Sequence, residues 1–270
     1  MPAYNLGMDA TSWEVPEYKK FELRKKKSKY CLVIPVINEG ERFLGQLLRV
    51  KPYSKLVDII IADGGSTDGS TDLKGLKSLN ITTLLVKSGP GKLGAQYRMA
   101  YAYALKRGYQ GIIHMDGNGK DDPKSIPEFI EKLDFGYDYI QGSRFVMGGK
   151  AINTPFEREF AIKYIFSPLL SIAAGKRYTD ASNGHRAYSR KLLLDPRLII
   201  MRNIFSSYEI LFYVTTRANR LGFKSIEIPV TRSYPPAGKT PTKIVGWNKK
   251  LDVLSMAIKA AVGHYNPNRD

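Results

Sequence analysis

The chain has 270 residues, enough for one large domain or two small ones, and its 43% hydrophobic content can supply a core. Lysine and arginine number 42 against 25 aspartates and glutamates; the resulting formal charge of +17 bears on partners rather than fold, leaving nucleic acid, anionic lipid and phosphate-rich small molecules open. The single cysteine, Cys31, excludes an intrachain disulfide and suits a reducing compartment.

Residues 1–29 read as a basic arm, with "KKFELRKKKSK" carrying most of the charge. A solvated extension is the plain reading, and a phosphate-binding arm the sharper one. The first residues contain no apolar stretch of the kind a signal peptide needs. No apolar run approaches the ~20 residues of a transmembrane helix. The expectation is a cytoplasmic protein without a membrane span.

From Tyr30 onward, strand-like runs alternate with helical patterns. "YCLVIPVI" is a strand with Cys31 buried in it, and "ERFLGQLLRV" is a helix. "VDIIIAD" is a near-continuous β-branched run, as in a strand covered on both faces. "ITTLLVK" is a third strand. Between Lys92 and Gly108, one helical face carries Leu93, Tyr97, Ala100, Tyr101, Ala104 and Leu105, and Gly108 marks the stop. "GIIHMD" is a fourth strand, "SIPEFIEKL" a helix and "DYIQGSR" a fifth strand. The alternation predicts an open α/β sheet, mainly parallel, with helices on both faces. Ligands of such sheets bind beyond the carboxyl ends of the strands. Strands one, two and four run into Asn38–Glu39, Asp63 and Asp116, and so deliver polar residues to one edge.

In "ADGGSTDGST", Asp68 or Ser70 reads as the cap of the following helix, which leaves Asp63 as the functional candidate. "SGPGKLGAQ" lacks Walker A spacing and reads equally as a turn or as an anion contact at a helix start. "HMDGNGKDDP" fails as a calcium loop at Lys120, Asp121 and Pro127, which would occupy its fifth, sixth and twelfth positions. A short Asp116-x-Asn118 element can still hold one hard cation and leave positions open for substrate phosphates.

Taken in order, Pro35-x-x-Asn38-Glu39, "DGGSTD", "GKLGA", "MDGNGKDDP", "QGSRF", "TDASNGHRAYSRKLL" and "SSYEILFYVTTRANRLGFKSIEIPVTRS" resemble the GT-A glycosyltransferases of family 2. The resemblance is closest to the branch containing dolichol-phosphate mannose synthase and other polyprenyl-phosphate glycosyltransferases. It covers residues 30–245, with 246–270 as an amphipathic C-terminal helix and tail. It implies a GT-A (Rossmann-like) fold and inverting transfer from a UDP- or GDP-sugar to a polyprenyl-phosphate or related lipid-linked acceptor. A saccharide hydroxyl in surface-polysaccharide synthesis is the alternative acceptor.

The resemblance also implies roles. Pro35, Asn38, Glu39 and Asp63 would surround the base and ribose, and Lys92 would lie near the nucleotide. Asp116 and Asn118 would hold Mg²⁺ or Mn²⁺ on the diphosphate. Arg144 would face the donor, and Arg186, Arg232 and Lys243 the acceptor phosphate. Asn118 replaces the family's second metal aspartate, and "NGHR" replaces its Ser-Gly-Phe-Arg. An ionised phosphate acceptor needs no general base. A hydroxyl acceptor does, and Asp180 is then the candidate base; otherwise it is a turn residue. His185 reads as a packed histidine.

The segment from Pro155 to Gly175 and the helix after Trp247 are amphipathic. In the resembling branch the first of these regions carries helices that lie on the membrane, which allows peripheral contact at its inner face, with core packing as the other reading; the C-terminal helix reads as packing on the domain, a partner subunit or a bilayer. A nucleotidyltransferase would want a glycine-rich loop where "PVINEGERF" has none. No nucleic-acid module is recognisable, so no nucleic-acid partner is expected. Sugar, base and oligomeric state are not legible in these residues.

Overall fold

The five expected strands form as β2 (Tyr30–Val36), β3 (Asp58–Asp63), β4 (Thr83–Lys87), β5 (Gly111–His114) and β6 (Tyr139–Ser143). The structure, a computed structural model, describes residues 12–236 and 246–267; Lys243 lies outside the described residues. Helices α1 (Gly40–Val50), α2 (Leu73–Ser78), α3 (Leu93–Lys106) and α4 (Ile126–Asp134) follow β2, β3, β4 and β5 in turn. Three further strands join the sheet: β1 (Tyr18–Glu22), β8 (Arg186–Ser189) and β9 (Ser225–Pro229). The order is β1-β4-β3-β2-β5-β8-β6-β9. The β2, β3, β4 and β5 pairings are parallel, as is β6 with β9, whereas β1 and β8 run antiparallel to their neighbours.

Side chains alternate across the sheet with period two and divide the core in two. Leu32, Ile34, Ile59 and Ile61 pack with Phe43, Leu47 and Phe129 of α1 and α4. Cys31, Val33, Ile60 and Ala62 pack with α3 and with α6 (Ser167–Ala174), α8 (Glu209–Arg220) and α9 (Trp247–Ala261). Helix α3 was expected to bury one face. Instead every residue from Gly94 to Leu105 is buried, because α8 covers the side away from the sheet. A helix enclosed on all sides cannot show a one-sided pattern.

Part of the arm departs from the solvated reading. Residues 18–22 form β1, an edge strand on β4 with Lys20 opposite Leu85. The buried carboxylate of Asp58 accepts hydrogen bonds from the Lys27 and Ser28 amides and the Tyr109 hydroxyl, tying the arm to the sheet.

The remaining short elements are β7 (Lys150–Ile152), α5 (Phe156–Ala161), α7 (Arg190–Leu193) and β10 (Thr231–Ser233). β7 and β10 pair in parallel as a separate ribbon. A single π turn at Ile162–Phe166 joins α5 to α6. Phe156, Phe160 and Tyr164 lie ring to ring along this helix with much of their surface exposed. Helix α9 packs on α6 and α8 through Ala257 and Ala260, while Trp247, Leu251 and Val262 stay exposed. No helix among the described residues is long and apolar enough to cross a membrane.

Candidate active site

Parallel pairing brings the carboxyl ends of β2, β3 and β5 to one edge. Val36 stands opposite Asp63, and β5 ends at His114 opposite Val33. The next residues leave the sheet, and the Gly117 amide bonds the Pro35 carbonyl at 3.2 Å. Asp116 is thereby held beside the end of β2.

Its partner comes from far along the chain. Arg232 in β10 donates from Nη2 to Asp116 Oδ2 at 2.8 Å and from Nη1 to Asp121 Oδ1 at 2.5 Å. Asp121 Oδ2 in turn accepts from the Asp116 amide at 3.2 Å. Burial alone would raise the Asp116 carboxyl, but Arg232, His114 and Lys120 outweigh it and hold it well below the usual carboxylate range. The Asp116 side chain keeps 21% exposure, whereas that of Asp121 has none. Asp116 is therefore the carboxylate that can meet a ligand, and Asp121 the one that sets Arg232.

Further cations gather around Tyr234. Arg158 of α5 donates to its hydroxyl at 3.2 Å, and the Lys120 ammonium lies 5.1 Å from its ring centre. Burial would raise the Tyr234 phenol, yet Arg232, Arg158, Lys120 and Arg144 pull it down to about 8. Burial and then Arg232 bring Lys120 down to about 8, against Tyr234 and Asp116. A phenol drawn down by four cations reports strong positive potential. Asp116, Asp121 and Asp180 neutralise part of this charge, through Arg232 and Arg144.

Arg144, at the end of β6, is buried and paired with Asp180: Nε reaches Oδ2 at 2.7 Å and Nη2 reaches Oδ1 at 2.8 Å. The Arg144 amide also bonds Oδ2, at 3.1 Å. Both Asp180 oxygens are thus engaged on a side chain with no exposure. Asp180, the expected general base, faces Arg144 rather than solvent, and taking a substrate proton would draw it out of the bidentate pair.

Arg186 also departs from expectation. It is wholly buried and donates to the carbonyls of Ala181, Asn183 and Leu211 and to the hydroxyls of Tyr139 and Thr215. These bonds occupy the guanidinium and tie Arg186 to the turn at 181–183, next to Asp180. His185 is packed, as read: Nδ1 meets the His114 carbonyl at 2.7 Å and Nε2 the Ser125 hydroxyl at 2.8 Å.

On the other side of the edge, Asp63 is buried and accepts from the Gly65 amide and from the amide and hydroxyl of Ser66 on Oδ1, and from Thr71 on Oδ2. Asn38, at a φ of 47°, accepts from the Thr67 amide, and Glu39 pairs with Arg42. These contacts shape the loop between β3 and α2 and leave Asn38 exposed beside it. The cap of α2 is Asp72, accepting from Gly75, while Asp68 instead holds Ser70 and the Gly40 amide.

Lys92 is exposed at the start of α3. That helix end is not free for an anion, because the Lys92, Gly94 and Ala95 amides all donate to the Ser206 carbonyl. Gly94 permits the approach: a Cβ there would lie 2.5 Å from the Phe205 carbonyl oxygen. Gln96, the last residue of "SGPGKLGAQ" and not singled out within it, bonds the carbonyls of both Val36 and Ala62 and holds β2 and β3 together at the site edge.

Among the described residues no group of three or more metal-ligating His, Cys, Asp or Glu side chains exists. A nucleotide diphosphate relaxes that demand, since Mg²⁺ is commonly held by one or two carboxylates plus substrate phosphates. Asp116 and Asn118 offer hard oxygens two residues apart. Asp116 Oδ1 faces Gly184, where an added Cβ would come within 2.9 Å, so the glycine keeps that oxygen clear. Asn118 now turns its amide nitrogen toward Asp116 Oδ2 at 3.4 Å while its oxygen accepts from the Lys120 amide at 3.3 Å; presenting that oxygen beside Asp116 means giving up the Lys120 bond. The donor set fits a hard divalent cation shared with a diphosphate.

Residues 31–195 match the model of glycosyl transferase family 2. The chain is 32% identical over 208 residues to an undecaprenyl-phosphate mannosyltransferase of Micrococcus luteus, covering 74% of this chain and 81% of that protein. It is 29% identical over 203 residues to a polyprenol monophosphomannose synthase of Mycolicibacterium smegmatis, covering 74% and 76%. Among solved structures it is similar to glucosyl-3-phosphoglycerate synthase of Mycobacterium tuberculosis in complex with Mn²⁺, UDP and phosphoglyceric acid. The TM-score is 0.61 at 16% identity, over 89% of this chain and 79% of that one. A second structure of the same enzyme, with Mg²⁺ and UDP, also gives 0.61, at 17% identity. These likenesses share the GT-A fold. The sheet, the ordered motifs and the matched residues agree, and the chain belongs to glycosyl transferase family 2.

Proposed function

We propose that this glycosyltransferase moves a sugar, with inversion, from a UDP- or GDP-sugar to the phosphate of a polyprenyl phosphate or related lipid-linked acceptor, with Mg²⁺ or Mn²⁺. The observation that carries this reading is the gathering of Lys120, Arg144, Arg158 and Arg232 around Tyr234, beside the accessible Asp116. Such a site suits a phosphate that arrives already ionised. A hydroxyl acceptor would need a base, and Asp180 is bound to Arg144. The lipid-phosphate substrates in the names of the two relatives support the same choice.

Asp116 and Asn118 would hold the cation, which supplies charge neutralisation for the departing nucleoside diphosphate. Arg232 orients Asp116 and adds positive charge at the same place. Pro35, Asn38, Glu39, Asp63 and Lys92 form the nucleotide side of the reading, Asp63 by shaping its loop. The exposed aromatic row of α5 is joined to the start of α9 by a Lys250–Glu157 pair at 3.0 Å. We assign to it a peripheral contact with the membrane that holds the acceptor.

The test is transfer by purified protein from UDP-, GDP- and dTDP-sugars, with and without Mn²⁺, to polyprenyl phosphate and to saccharide acceptors. Product on polyprenyl phosphate is expected. Product on saccharide hydroxyls alone would replace this reading with the hydroxyl one.

A pH dependence follows. Below about 8, Lys120 is charged and Tyr234 neutral; because the two are coupled, the pair loses one proton as pH rises through that value and the other only at higher pH. Both changes remove positive charge, so the KM for a phosphate acceptor should rise as pH climbs through that value. The effect belongs to the free enzyme and should appear in kcat/KM more than in kcat. Tyr234→Phe should make the rise shallower by removing one of the two groups. A flat KM across this range would disprove the assignment of these groups to the acceptor site.

A further inference from the structure

One nitrogen in the cationic site has no hydrogen-bond partner among the described residues. Asp180 engages the Nε and Nη2 of Arg144, and Nη1, although buried, has no hydrogen-bond partner among the described residues. A buried guanidinium nitrogen without an acceptor is costly, and such groups are rare in folded proteins. Arg144 shares its surroundings with Arg232 and Tyr234, so the orphan nitrogen belongs to the same positive site.

What holds the guanidinium in that pose lies one step further out, on β9. Glu227 accepts from the Thr179 amide on both oxygens at 2.9 Å, from the Thr179 hydroxyl at 3.0 Å and from the Asp180 amide at 3.1 Å. The Thr179 hydroxyl also meets Ser143 Oγ at 2.6 Å, and Ser143 directly precedes Arg144. The turn that carries Asp180 is therefore clamped to β9 on one side and to the end of β6 on the other. Glu227 and Asp180 are like charges placed close together, and burial already raises the Glu227 carboxyl. Its charge is thus unfavourable to Asp180, and what it contributes is acceptor geometry.

We propose that Glu227 is a positioning residue: through the Thr179–Asp180 turn it fixes Asp180, which presents Arg144 with Nη1 open to a phosphate oxygen. This deepens the phosphate-acceptor reading and rests on it. The glutamate touches no substrate, and acts by keeping one guanidinium nitrogen oriented and unspent.

The experiment measures binding of inorganic phosphate by calorimetry, together with acceptor KM and thermal stability, in the full-length protein. Glu227→Ala should weaken phosphate binding by roughly tenfold, the scale of one charge-assisted hydrogen bond, and raise acceptor KM to match. Arg144→Ala should do the same. The double variant should be no weaker than either single one, because both act through one contact. Glu227→Gln keeps the length and an acceptor oxygen and should stay within about threefold of wild type. Glu227→Asp keeps the charge but withdraws the oxygens, and should fail like alanine. It also serves as the test if the alanine variant does not fold.

Additive losses in the double variant would overturn the proposal, as would unchanged phosphate affinity in folded Glu227→Ala or Glu227→Asp protein. Failure of wild-type protein to bind phosphate at all would overturn it too. A wild type that binds phosphate but transfers sugar only to hydroxyls would refute the phosphate-acceptor reading instead, and with it the acceptor role given to Glu227. The two failures are therefore distinguishable.

Discussion

Replacing Asp116 with alanine is expected to lower sugar transfer by roughly two to three orders of magnitude, the scale on which loss of one transition-state electrostatic contact is felt. Two effects combine at this position. On the proposed reading the accessible carboxylate would be the principal ligand of the cation, and it is also a partner of Arg232. The fold should survive, because Arg232 keeps its second carboxylate, Asp121, at 2.5 Å. Asp121→Ala makes the informative contrast. It removes a fully buried carboxylate that holds both Arg232 and the Asp116 amide, and should cost more stability than Asp116→Ala. Initial rates and melting temperatures of the two variants decide the matter. Near wild-type turnover in Asp116→Ala protein would remove Asp116 from the chemistry. Asn118→Asp should tighten Mn²⁺ in a titration, since it places a second carboxylate on the same oxygen-rich edge; weaker or unchanged affinity would exclude residue 118 as a ligand.

The sheet was legible where burial on both faces left β-branched runs, as in "VDIIIAD", and where strands ended in carboxylates. Asp116 could be singled out because a plain turn explains the glycines around it and not the aspartate. The edge strand β1 could not be read, since "YKKFE" is polar and its pairing to β4 is a tertiary event. Strand β8 was hidden for another reason: it opens on Arg186, and a buried arginine contradicts the apolar pattern by which strands are recognised. The cationic site draws Lys120, Arg144, Arg158 and Arg232 from four separate segments, and in a chain of +17 no spacing marks which basic residues converge. Arg158 in particular sat within an amphipathic helix and carried no signal of its own. The Arg144–Asp180 pair was equally invisible, because two residues 36 apart in sequence reveal nothing of a bidentate contact until β6 and the turn before β8 are laid side by side.

The second large effect concerns stability. Arg186→Ala should destabilise the protein by about 3 kcal/mol or more, through a cavity and several carbonyls and hydroxyls left without donors. At ~2–4 °C per kcal/mol for a chain near this size, the melting temperature should fall by roughly 6–12 °C. Burial opposes the charge on Arg186, but a guanidinium keeps its proton throughout the accessible pH range, so it remains a cation among the side chains of Tyr139, Tyr188 and Tyr101. Among the described residues no carboxylate pairs with it; its bonds go to carbonyls and hydroxyls from β6, α8 and the turn at 181–183. Lysine keeps the charge and loses the fork, and one ammonium cannot serve acceptors spread over three elements. Arg186→Lys should therefore lose most of the same stability, and any loss of transfer should follow the unfolded fraction. The phosphate-contact role predicts the opposite pattern: unchanged melting with a raised acceptor KM. Measuring both quantities on Arg186→Lys, with Arg232→Lys beside it, separates the two. At Arg232 the guanidinium bridges Asp116 and Asp121 at the site itself, so transfer should fall even in protein that remains folded.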